Sequence, residues 1–259
     1  MKLYKLFIDG KWVNSTSGKT FASENPATLK PIGKFYSGNK NDVDKAVKAA
    51  RKAFPKWSET PAPSRGEILF KVAQLLRRDK ERLARIMTQE MGKVLNETRG
   101  DVQEAIDMFE YTAAEGRRLF GFTTPSELKN KFAMTIRVPI GVCALITPWN
   151  FPIAIPSWKI APALVCGNTV IFKPSSDTPL CAYELVKILI EAGVPDGVVN
   201  LITGSGNEAG EALVKHPDID MISFTVSIST GEYITKNAGL KKVGLELGGK
   251  NPIIVMDDA

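Results

Sequence analysis

Glu246 lies in VGLELGGK, where an apolar strand runs into a Gly-Gly turn. A carboxylate there is expected to be partly desolvated and its proton affinity raised, which suits either a hydrogen-bonded structural group or a general base. Asn150, in TPWNFP, poses the same choice: its amide can donate to a developing oxyanion or tie the turn between two prolines. Lys173 ends the apolar run TVIFK and opens Lys-Pro-Ser-Ser. Its ammonium can meet a ligand hydroxyl or phosphate, or stand solvated at a strand end. Segment 203–210 is a glycine-rich turn with the spacing GxGxxxG, one residue longer than the dinucleotide fingerprint and weak evidence alone. FTVSISTG puts Thr225, Ser227, Ser229 and Thr230 where a strand gives way to a helix. Hydroxyls and free amides there serve a phosphate or a plain N-cap. Trp149 and Trp158 read as core packing rather than cofactor stacking.

Composition narrows the partners of such groups. Thirty-four Lys and Arg against 28 Asp and Glu give +6 over 259 residues, 44% of them apolar, which excludes a disordered, collagenous or disulfide-scaffold chain. The basic residues are scattered, so no nucleic-acid partner is expected. Cys143, Cys166 and Cys181 form no CxxC pair and His216 is the sole histidine, so neither a disulfide framework nor a zinc site can be assembled. No metal is expected, and the compartment reads as reducing and cytoplasmic. Lys5 and Asp9 interrupt any signal-peptide core at the start. Residues 138–158 carry no charge over 21 positions, enough to span a bilayer, but prolines at 139, 148, 152 and 156 would strip a helix of backbone bonds that lipid cannot replace. That run reads as strand, loop and helix start, and no membrane partner is expected.

The elements that must hold these residues fall into two styles. FIDGKWV reads as a hairpin around Asp9-Gly10, followed by a helix signal at Asn41-Asp42. Three amphipathic helices follow, through Val43, Ala46, Val47, Ala50 and Phe54; through Ile68, Leu69, Val72, Leu75, Leu76 and Leu83; and through Val102, Ala105, Ile106 and Phe109. KFAMTIRV, within 129–138, alternates as a half-exposed strand does. After Gly141 short apolar runs (VCALI, TVIFK, VVNLI, MISF, VGLEL, PIIVM) alternate with helical segments beginning near Pro156, Pro179, Gly206 and Ser229. Such alternation predicts an α/β fold with a doubly wound, mainly parallel Rossmann-like sheet, preceded by the N-terminal hairpin and helices. Ligands on such sheets sit beyond the carboxyl ends of the strands, which singles out loops 147–152, 173–178, 203–210 and 225–231.

Taken together, TPWNFP with Lys159 nine residues after Asn150, GNTVIFKPS, the glycine turn, FTxS opening a helix and LELGGK resemble the aldehyde dehydrogenase superfamily in order and spacing. The resemblance covers essentially the whole chain, including FIDGKWV and NPATLKPIG. It implies that Asn150 donates to the oxyanion of a thiohemiacetal, that Glu246 is the general base for the hydrolytic water, and that Lys159 serves a proton relay. It implies that Lys173 binds the adenosine ribose or its 2′-phosphate, with Ser175 and Ser176 beside it. Ile146, Thr147, Pro148 and Trp149 match positions lining the coenzyme, as do Gly206, Gly210, Phe224, Thr225, Ser227 and Leu247. A protruding hairpin at 123–141 would pair with a neighbouring subunit, making a homo-oligomer. Residues 1–122 and 142–250 would then form the coenzyme-binding domain, and 251–259 the start of a truncated catalytic domain.

Three departures from the family pattern matter. Ser176 stands where the family has a glutamate that accepts from both ribose hydroxyls, so with Lys173 the coenzyme preference moves from NAD towards NADP. Val226 stands where the family has glycine in FTGS, adding two methyl groups beside the coenzyme. The family's nucleophilic cysteine lies a few dozen residues beyond the LELGG glutamate, and this sequence ends 13 residues after Glu246. The present cysteines read as small apolar packing. The implied function is NAD(P)-dependent oxidation of an aldehyde to a carboxylic acid, the small-molecule aldehyde being the partner, with this chain inactive alone. Glu246 favours this hydrolytic chemistry over CoA acylation, which needs no such base. The alternative is a non-catalytic nucleotide-binding or assembly module.

Overall fold

The computed structural model describes all 259 residues. Five strands open the chain: β1 (Leu3–Tyr4), β2 (Leu6–Ile8), β3 (Lys11–Val13), β4 (Thr20–Glu24) and β5 (Pro31–Tyr36). Helices α1 (Lys40–Glu59), α2 (Ala62–Arg78), α3 (Lys80–Met91) and α4 (Leu95–Glu115) follow, then the short strands β6 (Thr123–Thr124) and β7 (Ala133–Met134). The second half alternates β8 (Val142–Ile146), α5 (Ala154–Val165), β9 (Thr169–Lys173), α6 (Pro179–Ala192), β10 (Val199–Leu201), α7 (Glu211–Lys215), β11 (Met221–Thr225), α8 (Ile228–Asn237) and β12 (Lys242–Glu246). A π-helical turn, Gly206–Gly210, leads into α7.

Strand order in the main sheet is β12-β11-β8-β9-β10-β2-β3. The five strands from β8 to β12 run parallel; β2 joins β10 antiparallel and turns into β3. The parallel part thus starts at β8, winds outward through β9 and β10, then returns to lay β11 and β12 on the other flank. This is a doubly wound sheet whose strand order reverses between β8 and β11.

The side-chain period of two sorts the core onto two faces. Cys143, Leu145, Val170, Phe172 and Leu201 face α2, α4, α5 and α6, in the larger cluster of 34 buried residues. Val142, Ala144, Ile146, Ile171, Ile222 and Phe224 face α1, α7 and α8, in a cluster of 20.

Several local expectations need correction. The first helix starts two residues earlier than Asn41-Asp42 indicates, because Asn39 and Asp42 form a reciprocal capping box. The run from Ile68 to Leu83 is not one helix: Asp79, at φ −97° and ψ 7°, ends α2 and opens α3. KFAMTIRV pairs only through Ala133 and Met134 and buries neither face, with Phe132 and Met134 exposed. PIIVM forms no strand, and Ile253, Ile254, Val255 and Met256 are exposed. Apolar alternation marks a surface that can be covered; it does not supply the cover. No helix is long and apolar enough to cross a membrane.

Glu90 ties the first half to the rim of the sheet. Its carboxylate accepts from the Leu180 and Cys181 amides at the start of α6 (2.7 and 2.8 Å) and from Ser23 Oγ (2.9 Å). An anion at a helix N-terminus meets both free N–H groups and the positive end of the helix dipole. Burial nevertheless pushes the Glu90 carboxyl up to about 7 from its ordinary 4.5, against those hydrogen bonds. The folded chain therefore holds this proton up to about pH 7, whereas the unfolded chain releases it near 4.5. In that window the folded state binds more protons, so stability falls as pH rises. Urea melts from pH 4.5 to 7 are expected to show this decline, flattened in Glu90→Gln; equal slopes in the two proteins would contradict it.

Candidate functional site

Register brings together residues far apart in sequence. Lys173 pairs with Ile146, Ile146 with Phe224, and Phe224 with Leu245, so the last full row of the parallel strands reads Lys173–Ile146–Phe224–Leu245. Thr225 and Glu246 form the next row and point to the other face. One rim of the sheet therefore presents two sets of groups, one on each side.

On the α1 and α7 side lies a cavity of about 350 Å³. Ile146, Thr147, Lys173, Ser175, Ser176, Gly206, Gly210 and Phe224 line it, with Asp177, Glu211 and Thr230. Lys173 is 5% exposed. Its ammonium donates to the Pro174 carbonyl (3.0 Å), which leaves two N–H bonds without a partner in the protein. Burial lowers its pKa to about 8, and the nearby Asp177 carboxylate opposes that fall. Lys173 is thus a buried cation facing a cavity, not a solvated strand-end lysine. Ser176 Oγ donates to the Gly204 carbonyl (3.0 Å), joining loop 173–178 to the glycine turn. Thr147 is 2% exposed and its hydroxyl finds no partner in the protein.

On the α5 side lies a cavity of about 1320 Å³. Asn150, Lys159, Thr225, Ser227, Glu246 and Leu247 line it, above a floor that includes Cys143, Leu145 and Ser223. Lys159, on α5, donates to Ser223 Oγ on β11 (2.9 Å). Burial lowers the Lys159 pKa while the Glu246 carboxylate holds it up, so the two charges share this space. Ser227 caps α8 by accepting from the Thr230 amide. Pro148, Trp149 and Val226 line both cavities and form the crest between them. Asn150, Ser227 and Glu246 thus share the larger cavity, whereas Lys173 lies across that crest in the smaller one.

Two expectations fail here. Glu246 is exposed at the end of the edge strand, not desolvated, because no element covers β12 on its outer side. Trp149 and Trp158 are 50% and 40% exposed and line the larger cavity, so they are not core packing. Trp149 sits where the chain turns at the rim and Trp158 on the cavity-facing side of α5, and an indole has enough apolar surface to look like core in a sequence.

Sequence reasoning missed Lys93. Its ammonium donates to the Asn150 carbonyl (3.0 Å), pairs with Asp101 (2.9 Å) and lies 3.7 Å from the centre of the Phe151 ring. These contacts anchor the loop that carries Asn150, and nothing in the sequence marks a lysine 57 residues away as its partner. Asp177 was legible: a carboxylate one residue past Ser176 belongs to the same loop. No cysteine is an activated thiol. Burial pushes Cys143 up to about 12 and Cys181 well above its ordinary value, and Cys166 is raised also. No group of three or more His, Cys, Asp or Glu side chains is placed to hold a metal ion.

A doubly wound sheet with a buried cation and a glycine turn past the carboxyl ends of its strands defines an α/β protein of the class whose ligands sit at that rim. The chain belongs to the aldehyde dehydrogenase family, whose model matches residues 12–259. It is 43% identical over 258 residues to betaine aldehyde dehydrogenase of Bacillus subtilis, covering 98% of this chain and 53% of that protein. It is 42% identical over 257 residues to D-glyceraldehyde dehydrogenase (NADP+) of Picrophilus torridus, covering 98% and 52%. The fold superposes on a point mutant of betaine aldehyde dehydrogenase of Staphylococcus aureus, crystallised in complex with NAD+, at a TM-score of 0.94 and 38% identity, over 99% of this chain and 53% of that one. The chain spans about half the length of the curated relatives it matches.

Thr147 tests whether this rim is built for a ligand. A buried hydroxyl without a partner costs about 1–3 kcal/mol, which a nearly isosteric valine would recover. Thr147→Val is expected to raise the melting temperature and weaken adenine-nucleotide binding; a lower melting temperature with unchanged binding would show that the hydroxyl serves the fold.

Proposed function

We propose that the chain carries the coenzyme half of an NAD(P)-dependent aldehyde dehydrogenase. In the overall reaction an aldehyde, water and the oxidised coenzyme give a carboxylate, the reduced coenzyme and two protons. The supporting observation is that Asn150, Lys159 and Glu246 line one cavity that shares Pro148, Trp149 and Val226 with the pocket around Lys173.

The small cavity suits an adenosine ribose and its phosphate. The Lys173 ammonium supplies charge and free donors, and Thr147 supplies an unsatisfied hydroxyl. A Cβ placed at Gly206 would meet nothing within 4 Å, so the backbone there is open to a phosphate. Lys173 and Ser176 favour NADP, since a neutral hydroxyl beside an ammonium tolerates the 2′-phosphate that a carboxylate would repel. Asp177, held by Ser175 Oγ at 3.0 Å, is the charge on this loop that opposes that preference.

The coenzyme, when bound, takes up the hydride; the other steps belong to side chains. The Asn150 amide donates to the oxyanion that forms at the aldehyde carbon. Glu246 accepts a proton from the attacking water, and Lys159, between Glu246 and Ser223, passes protons towards the rim. The thiolate nucleophile comes from outside these residues, because Cys143, Cys166 and Cys181 are held protonated by burial.

In this reading residues 1–122 and 142–250 bind coenzyme, 251–259 lead towards the catalytic part, and hairpin 123–141 meets a second copy. The exposed side chains of Phe122, Phe132, Met134 and Ile136 support that last assignment. The 259-residue chain is expected to bind adenosine 2′,5′-bisphosphate yet form no NADPH or NADH with aldehydes. The association constant should fall about tenfold per pH unit above pH 8, as the Lys173 ammonium loses its proton, and Lys173→Met should abolish that dependence. Aldehyde turnover above a buffer blank, or pH-independent binding, would overturn this reading.

A further inference from the structure

Val226 is the first residue past β11, beside the point where strand order reverses. Alternation sends Phe224 to the α1 side and Thr225 to the α5 side, and Val226, at the bend just past the strand, borders the cavities on both. Its amide donates to the Glu246 carbonyl (3.3 Å), extending the β11–β12 ladder by one bond and fixing the loop there. A branched apolar side chain 40% exposed at this place covers no core. It lines both the nucleotide-sized cavity and the larger one, as only Pro148 and Trp149 also do.

We infer that Val226 is a threshold residue: its isopropyl group sets how well one ligand can occupy both cavities at once, and so discriminates a whole dinucleotide from its adenosine half. The inference rests on the proposed nucleotide site. A mononucleotide seated against Lys173 and Gly206 stays within the small cavity. A dinucleotide whose second ring is to reach Asn150 and Glu246 must cross the crest, where Pro148 and Val226 flank the path and neither can turn aside. Proline is a ring fused to the backbone, and a β-branched side chain has little freedom about χ1.

The readout is the ratio of dissociation constants for dinucleotide and half-ligand, measured by titration calorimetry on the 259-residue chain. Adenosine 2′,5′-bisphosphate is paired with NADP, and AMP with NAD. Val226→Ala is expected to improve the dinucleotide about tenfold relative to its half-ligand, and Val226→Ile to shift the ratio the opposite way. Circular dichroism melts check that both variants fold, and either variant alone tests the trend. A ratio unchanged across Ala, Val and Ile would overturn the threshold role while leaving the nucleotide site intact. Failure of every protein to bind any of the four nucleotides would overturn the nucleotide site, and the threshold with it.

Discussion

The shared register of the parallel strands is the constraint on which the site depends. Because β8, β9, β11 and β12 end within a residue of one another, side chains up to 100 positions apart in the chain stand in one line at one rim. The period of two then deals them to opposite faces, Lys173 to one and Glu246 to the other. A one-residue slip of β9 would send the Lys173 ammonium to the face held by Phe172 and Leu145, part of the larger apolar cluster. The charge of Lys173 is tolerated because the strand ends there and the Pro174 carbonyl turns back to accept from it.

Around that rim the first half of the molecule acts as scaffold. Glu90 and Ser23 grip the start of α6 and so hold loop 173–178; Lys93 and Asp101 do the same for loop 147–152. Both grips place an ionisable group inside the protein and satisfy it with several hydrogen bonds, since a half-satisfied buried polar group would cost more than it contributes. They leave the rim itself underpacked, with two exposed indoles, a hydroxyl lacking a partner and a carboxylate on an edge strand. Surfaces that carry such features without compensation within the fold are characteristic of ligand sites.

Much of this was legible in the sequence. The parallel sheet announced itself through short apolar runs alternating with helical segments, and the hairpin through Asp9-Gly10, both of which take the left-handed backbone the turn needs. The loops worth inspecting followed from the winding alone. Other features depend on what lies opposite a residue in space, which periodicity does not record. Trp149 looked like core because its type is apolar, and Glu246 looked desolvated because its strand is apolar, yet β12 is an edge and the crest is open. The break at Asp79 escaped notice because Leu76 and Leu83 keep a heptad interval across it. Lys93 could not be found, since its role is fixed by tertiary contacts alone.

The position of a bound nucleotide's phosphate decides between a coenzyme site at Lys173 and a site elsewhere. A crystal structure of the chain with adenosine 2′,5′-bisphosphate tests this most directly. A phosphate oxygen is expected within hydrogen-bonding distance of Lys173 Nζ, with the adenosine in the small cavity beside Gly206. A nucleotide bound on any other surface, with Lys173 still bonded only to the Pro174 carbonyl, would contradict it.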